Sequence, residues 1–161
     1  KEKIFKFDLG TDGNGKNNLI VQNGGIRNRK LITTEKMDNA GNIYSDDNLF
    51  MNGPEIFNFT IEMIPKTINN CLIKNDITLE EIDFVIFHQA NKYMLEHLRR
   101  KLRIPSEKFY INLEKTGNTV SATIPIALKD CLDKGLIKKG NKVLLSGFGV
   151  GYSWASTIIE I

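Results

Sequence analysis

The stretch Asp83-Phe84-Val85-Ile86-Phe87-His88-Gln89-Ala90-Asn91 decides the fold. It opens with a short, nearly continuous apolar run, the pattern of a strand buried on both faces of a parallel sheet. A polar junction, His88-Gln89-Ala90-Asn91, ends the run. Met94, Leu95, Leu98 and Leu102 then share one helical face, which predicts a helix from about Asn91 to Leu102.

Toward the carboxyl end the same alternation continues. Phe109 to Leu113 reads as a strand, and residues 119–133 as a helix burying Val120, Ile124, Ala127, Leu128 and Cys131. Gly135 to Asn141 is a turn, Lys142 to Ser146 a strand, Gly147 to Gly151 a glycine loop, and Tyr152 to Ile161 a final strand. Strand, helix, strand, helix, strand, strand predicts an α/β layer fold with a mainly parallel sheet.

Toward the amino end the pattern is less regular. Ile4 to Leu9 alternates partly and reads as a strand, Gly10 to Asn18 as a turn, and Leu19-Ile20-Val21 as a second strand. Residues 26–52 are polar and broken by glycine, so short strands at best are expected there. From about Pro54 to Leu72, Phe57, Ile61, Ile64 and Ile68 form one apolar stripe, a helix that Pro65 should kink or interrupt. Thr78 followed by Glu81 fits a capping box.

A chain of 161 residues is long enough for one domain with a real core. The net charge of +3 is too small to imply nucleic acid, and no apolar run is long enough to suggest a membrane span. The opening Lys1-Glu2-Lys3-Ile4 lacks an initiator Met, an apolar signal core and a cleavage pattern, so a fragment is expected. Two cysteines, Cys71 and Cys131, form neither a disulfide framework nor a metal spacing, which favours a reducing, cytoplasmic setting.

In open α/β sheets ligands bind beyond the carboxyl ends of the strands. Three such ends lead into His88-Gln89-Ala90-Asn91, Thr116-Gly117-Asn118-Thr119 and Gly147-Phe148-Gly149-Val150-Gly151. Each alone has an ordinary explanation. A histidine at a strand end is usually structural, Gly-Asn is a common turn, and glycine loops permit tight turns. The glycine loop is not a dinucleotide fingerprint, because no helix follows it. The convergence of all three on one sheet edge is what suggests a site.

These segments, with Ser121-Ala122-Thr123-Ile124-Pro125-Ile126-Ala127-Leu128, Tyr152-Ser153-Trp154, Met51-Asn52-Gly53 with Glu55 and Phe57, and Asp8-Leu9-Gly10-Thr11-Asp12-Gly13, resemble the β-ketoacyl-acyl-carrier-protein synthase III family of thiolase-like condensing enzymes. The likeness spans nearly the whole chain and implies the carboxyl-terminal half of such an enzyme. The fold it implies is a thiolase-like half, a mixed and mostly parallel sheet with helices packed on it. The family works through a Cys-His-Asn triad. His88 and Asn118 match the second and third members, and the nucleophilic cysteine belongs to the amino-terminal half. Cys71 and Cys131 are read as structural.

The resemblance implies a decarboxylative condensation of an acyl-CoA-derived acyl group with malonyl-acyl carrier protein. His88, as neutral imidazole, and Asn118 would donate N–H groups to the enolate oxygen, with the other ring nitrogen of His88 bonded to a backbone N–H. Backbone N–H groups of Gly149-Val150 would serve a second oxyanion. Asn91 would lie near the pantetheine arm, and Gly53 and Phe57 would border its tunnel. No metal or cofactor is implied. The expected partners are acyl carrier protein, CoA thioesters, the amino-terminal half and a second copy in a homodimer, with no nucleic acid or membrane. The alternative is a noncatalytic thiolase-like module binding acyl carrier protein or CoA. Three departures bear on partner and acyl specificity. Lys92-Tyr93 stands where the family commonly has arginine two positions after Asn91, Val120 where Ser is usual, and Val150 where Gly or Ala is usual. Lys92, Arg99, Arg100, Lys101 and Arg103 make one helix basic, either a solvated face or a dock for an acidic carrier, with His97 on its polar side.

Overall fold

The computed structural model describes residues 3–26, 28–29 and 34–161. Those parts of the sequence expectations that fall on residues 1–2, 27 and 30–33 lie outside the described residues. The elements, in chain order, are β1 (Asp8–Thr11), β2 (Leu19–Val21), β3 (Lys36–Met37), β4 (Ile43–Tyr44), β5 (Leu49–Met51), α1 (Gly53–Asn75), β6 (Phe84–Phe87), α2 (Lys92–Lys101), β7 (Phe109–Tyr110), α3 (Thr123–Asp133), β8 (Lys142–Gly149) and β9 (Ser153–Glu160).

The central sheet has the order β1-β9-β8-β6-β7. β6 pairs parallel with both β7 and β8, while β9 is antiparallel to β8 and to β1. Four strands therefore run one way and β9 runs against them, the mixed and mostly parallel sheet expected of a thiolase-like half. Side chains alternate along β6, and both faces are covered. Val85 and Phe87 pack with Ile64 and Ile68 of α1 and Leu95 and Leu98 of α2. Phe84 and Ile86 pack with Ala127 and Cys131 of α3. That two-sided burial is why the β6 run is continuously apolar. Each fully buried Leu or Ile here contributes roughly 1.5–3 kcal/mol relative to exposure.

Several elements differ from expectation for local reasons. The first strand begins at Asp8, with Ile4 making only an isolated bridge to Ile159. Asn75 at the end of α1 takes both backbone groups of Lys6, its Oδ1 accepting from the Lys6 N–H at 2.9 Å and its Nδ2 donating to the carbonyl at 2.9 Å, which interrupts the ladder. Pro65 does not break α1, which is continuous. Proline leaves the carbonyl four residues back without its helical donor. Lys101 Nζ donates to that Ile61 carbonyl at 2.7 Å.

The strand expected through Leu113 stops at Tyr110. Gln89, buried at 1% exposure, takes over the pairing. Its Oε1 accepts from the Asn112 N–H at 2.7 Å, and its Nε2 donates to the carbonyls of Phe87 at 2.7 Å and Tyr110 at 3.3 Å. The helix expected over 119–133 is a 3-10 turn (Val120–Ala122) followed by α3. Most of the supposed glycine loop is strand, because Gly147, Phe148 and Gly149 pair with Ala155, Trp154 and Ser153. Residues 10–18 hold the end of β1 and a 3-10 turn at Gly13–Asn17. Among the described part of 26–52 the only regular pieces are β3, β4 and β5, and β5 pairs antiparallel with β2. Thr78 and Glu81 do pair, the Thr78 N–H donating to the carboxylate at 2.8 Å.

Candidate active site

His88 follows β6 directly. Its N–H donates to the Ser146 carbonyl at 2.8 Å, so the β6–β8 register fixes where the imidazole starts. Nδ1 lies 2.7 Å from Thr123 Oγ1, and the ring meets Phe148 edge-on at 5.3 Å. Burial pushes the imidazole below its ordinary value, only partly offset by a hydrogen bond to the Val120 backbone. At neutral pH the ring is therefore uncharged.

Asn118 sits in the loop between β7 and α3. The Gly117 N–H donates to the Leu113 carbonyl at 3.0 Å, and Gly117 takes φ +62°, a left-handed turn that glycine adopts without strain. Asn118 Oδ1 accepts from the Val120 N–H at 2.9 Å. With the carboxamide oxygen held, the N–H₂ end is left for a ligand. Val120 itself takes φ +57°, a conformation that strains a β-branched residue.

Asn91 caps α2, its Oδ1 accepting from the Met94 N–H at 2.8 Å. Gly53 opens α1 behind the cap residue Asn52. Both helices thus direct the positive ends of their dipoles toward the same region. Gly149 and Val150 close it at the end of β8.

The structure brings these residues to one cavity of about 390 Å³. His88, Asn118, Asn91, Gly53, Gly149 and Val150 all line it. Phe57 does not. It stands outside the lining, with its ring 5.6 Å from Tyr93 and 5.2 Å from His97. The cavity face of α1 carries Gly53, Ile56, Phe59 and Thr60. Phe57 is one helical step, about 100°, away from Ile56. His97, expected in solvent, is half-buried against that ring.

Sequence reasoning also missed Phe59, which stacks on Tyr152 with centroids 4.0 Å apart, and Thr123, the neighbour of His88 Nδ1. The spacing of Gly53, Ile56 and Thr60 would have indicated the α1 face. Nothing in the local pattern marks Thr123. A neutral imidazole and a carboxamide bordering a largely apolar cavity can donate hydrogen bonds to an oxygen on which negative charge develops. Cys71 and Cys131 are both fully buried in the hydrophobic clusters, away from this lining. Burial raises both thiols, Cys131 to about 12.

The sequence model of the family described as 3-Oxoacyl-[acyl-carrier-protein (ACP)] synthase III C terminal matches residues 72–161. The chain is 38% identical over 157 residues to a β-ketoacyl-acyl-carrier-protein synthase III of Clostridium tetani, covering 98% of this chain and 47% of that protein. It is 36% identical to the protein of the same name from Pyropia yezoensis, covering 99% and 48%. A crystal structure of a 3-oxoacyl-(acyl-carrier-protein) synthase III superposes with a TM-score of 0.96 at 40% identity, over 100% of this chain and 48% of that one. The Thermus thermophilus β-ketoacyl synthase III structure superposes with a TM-score of 0.82 at 31% identity, over 98% and 46%. The chain spans about half the length of the curated relatives it matches. By this likeness and by its mixed sheet the chain belongs to the 3-oxoacyl-acyl-carrier-protein synthase III family of condensing enzymes and corresponds to its carboxyl-terminal half.

Proposed function

We propose that this chain supplies the oxyanion-stabilising part of an acyltransferase that condenses an acyl-CoA-derived acyl group with malonyl-acyl carrier protein. The observation that carries the reading is the meeting of His88 and Asn118, from two different strand ends, at one cavity. In the reaction a cysteine of an amino-terminal half holds the acyl group as a thioester. Malonyl thioester loses CO₂, and the electron pair of the broken C–C bond becomes an enolate. The Nε2–H of His88 and the N–H₂ of Asn118 hydrogen-bond the enolate oxygen. The nucleophilic carbon then attacks the acyl thioester, the backbone N–H groups at Gly149-Val150 face the oxyanion that forms there, and its collapse breaks the C–S bond and releases the cysteine as thiolate.

Three further observations support this. The imidazole is held neutral, as a donor to an enolate without proton transfer requires. The cavity is mostly apolar in its lining, with Leu19, Ile56, Phe59 and Met94 beside the polar residues, as suits a thioester arm. Leu9, Phe50, Met51 and Val150 are exposed, and Met51 and Val150 lie on the cavity itself. An apolar surface continuous with the site suits closure by an amino-terminal half. The basic helix α2 fits the docking of an acidic carrier, although Arg99 is turned inward to Glu96 and to the Ile104 carbonyl, which leaves Lys92, Arg100 and Lys101 as the exposed charges of the helix.

The test is complementation. The chain alone should form no ketoacyl product, and combined with an amino-terminal half carrying the cysteine it should transfer acyl groups to malonyl-acyl carrier protein. Turnover by the chain alone would remove the missing nucleophile from the scheme. Failure of a folded, combined protein would leave a noncatalytic carrier- or CoA-binding module.

A further inference from the structure

We propose that Thr123 sets the tautomer of His88, giving its hydroxyl proton to Nδ1 and so leaving the imidazole proton on Nε2. This rests on the reading of His88 as a hydrogen-bond donor to the enolate, and it assigns the residue that makes it one. Thr123 Oγ1 has a single proton and two acceptors in reach, His88 Nδ1 at 2.7 Å and the Val120 carbonyl at 3.0 Å. Whichever acceptor receives the proton decides the ring. If Nδ1 receives it, Nδ1 carries a lone pair and the neutral imidazole bears its proton on Nε2. If the Val120 carbonyl receives it, Nδ1 must donate to the threonine oxygen, and Nε2 is left as a lone pair. A lone pair directed at a developing oxyanion repels it.

Three features favour donation to Nδ1. The 2.7 Å separation is the shorter one and lies at the usual distance for a hydroxyl donor and at the short limit of the range for an N–H donor. The Val120 carbonyl already accepts the Thr123 backbone N–H, whereas Thr123 is 3% exposed and its bond to the half-buried imidazole is shielded. Among the described residues Thr123 is the one donor beside Nδ1. The side chain is also held in place, since a β-branched residue in the first turn of a helix has few rotamers and Thr123 begins α3. The Val120 carbonyl also faces the imidazole, where it accepts a ring N–H, and it is the partner that would favour a proton on Nδ1.

The experiment is ¹⁵N NMR of the chain labelled at histidine, read above the ionisation of His88, with His97 as internal reference. The wild type should show a pyridine-type Nδ1 and a pyrrole-type Nε2 at His88. Thr123→Ser should keep this pattern, and Thr123→Val, close in shape, should move it toward Nδ1–H. A pyrrole-type Nδ1 in the wild type would overturn the proposal without any variant, and so would a pattern unchanged in Thr123→Val.

In the complete enzyme Thr123→Val should lower kcat for malonyl decarboxylation at least about tenfold, with KM little changed and with recovery in Thr123→Ser. A histidine held in the wrong tautomer costs up to about 10⁴ in rate elsewhere. If the tautomer moves and decarboxylation does not respond, the donor role of His88 fails while the assignment of Thr123 stands.

Discussion

Replacing Asp8 by Ala should unpin β1 from α1, and the structure gives the size of the effect. Asp8 is 6% exposed. Its Oδ2 accepts from Thr67 Oγ1 at 2.7 Å, and its Oδ1 from Lys74 Nζ at 2.5 Å. Thr67 is 1% exposed and has no access to water once its acceptor is gone. An unsatisfied buried hydroxyl costs about 1–3 kcal/mol. Lys74 is about half-exposed and returns to solvent, so loss of that ion pair adds only about 0–1 kcal/mol. The single variant should therefore lose roughly 1–4 kcal/mol in urea denaturation followed by circular dichroism. Adding Thr67→Val removes the orphaned donor, so the double variant should be more stable than the sum of the two singles by about 1 kcal/mol or more. The effect should also depend on pH. Burial alone would raise the Asp8 carboxyl, but hydrogen bonds from Lys74 and Thr67, with the Lys74 charge, outweigh it and the group is lowered. A carboxyl lowered on folding adds stability above its unfolded value of about 3.9 and loses it as pH falls through the folded value. The gap between wild type and Asp8→Ala should thus be full at pH 7 and narrow as pH drops below about 4. Strict additivity of the two substitutions, or a gap of constant size down to acid pH, would refute the reasoning.

Lys101→Met should leave the Ile61 carbonyl without its donor and cost about 1 kcal/mol, with faster amide exchange around residues 61–65 of α1; unchanged exchange would mean the lysine contact is incidental. At Gly15 an added Cβ would run into the ring of Tyr152, which stacks on Phe59 of the cavity wall. Gly15→Ala should cost about 1–3 kcal/mol and alter the near-ultraviolet dichroism, and an unaltered melting curve would show the ring to be free to move. Arg100→Glu should raise the carrier-protein KM of the complete enzyme while leaving kcat nearly constant. Arg99→Glu should instead lower stability, because Arg99 holds Glu96 and the Ile104 carbonyl; equal effects of the two on KM would contradict this division.

Where the chain's own neighbours determine structure, the sequence was readable. The β6 run, the apolar face of α2 and the turn at Gly135 need only local periodicity, and they place His88 at a strand end and Asn91 at a helix cap. The departures come from single side chains that reach across the fold to take backbone groups. Asn75 interrupts the first strand at Lys6, Gln89 ends β7 by holding Asn112, and Lys101 keeps α1 whole at Pro65. Such partners lie tens of residues away and leave no periodic trace. The site shows the same division. The three junction segments supply most of the cavity's polar residues, whereas Phe57, which the resemblance placed beside Gly53, lies outside the cavity lining against Tyr93 and His97. Thr123 was visible only once α3 had been laid against the end of β6.

Malonyl-thioester decarboxylation in the complete enzyme, measured separately from acylation of the cysteine, tests the shared role of His88 and Asn118 most directly. His88→Ala and Asn118→Ala should each slow decarboxylation by about 10²–10³ and leave acylation largely intact. Normal decarboxylation in both variants would show that the imidazole and the carboxamide do not carry the enolate.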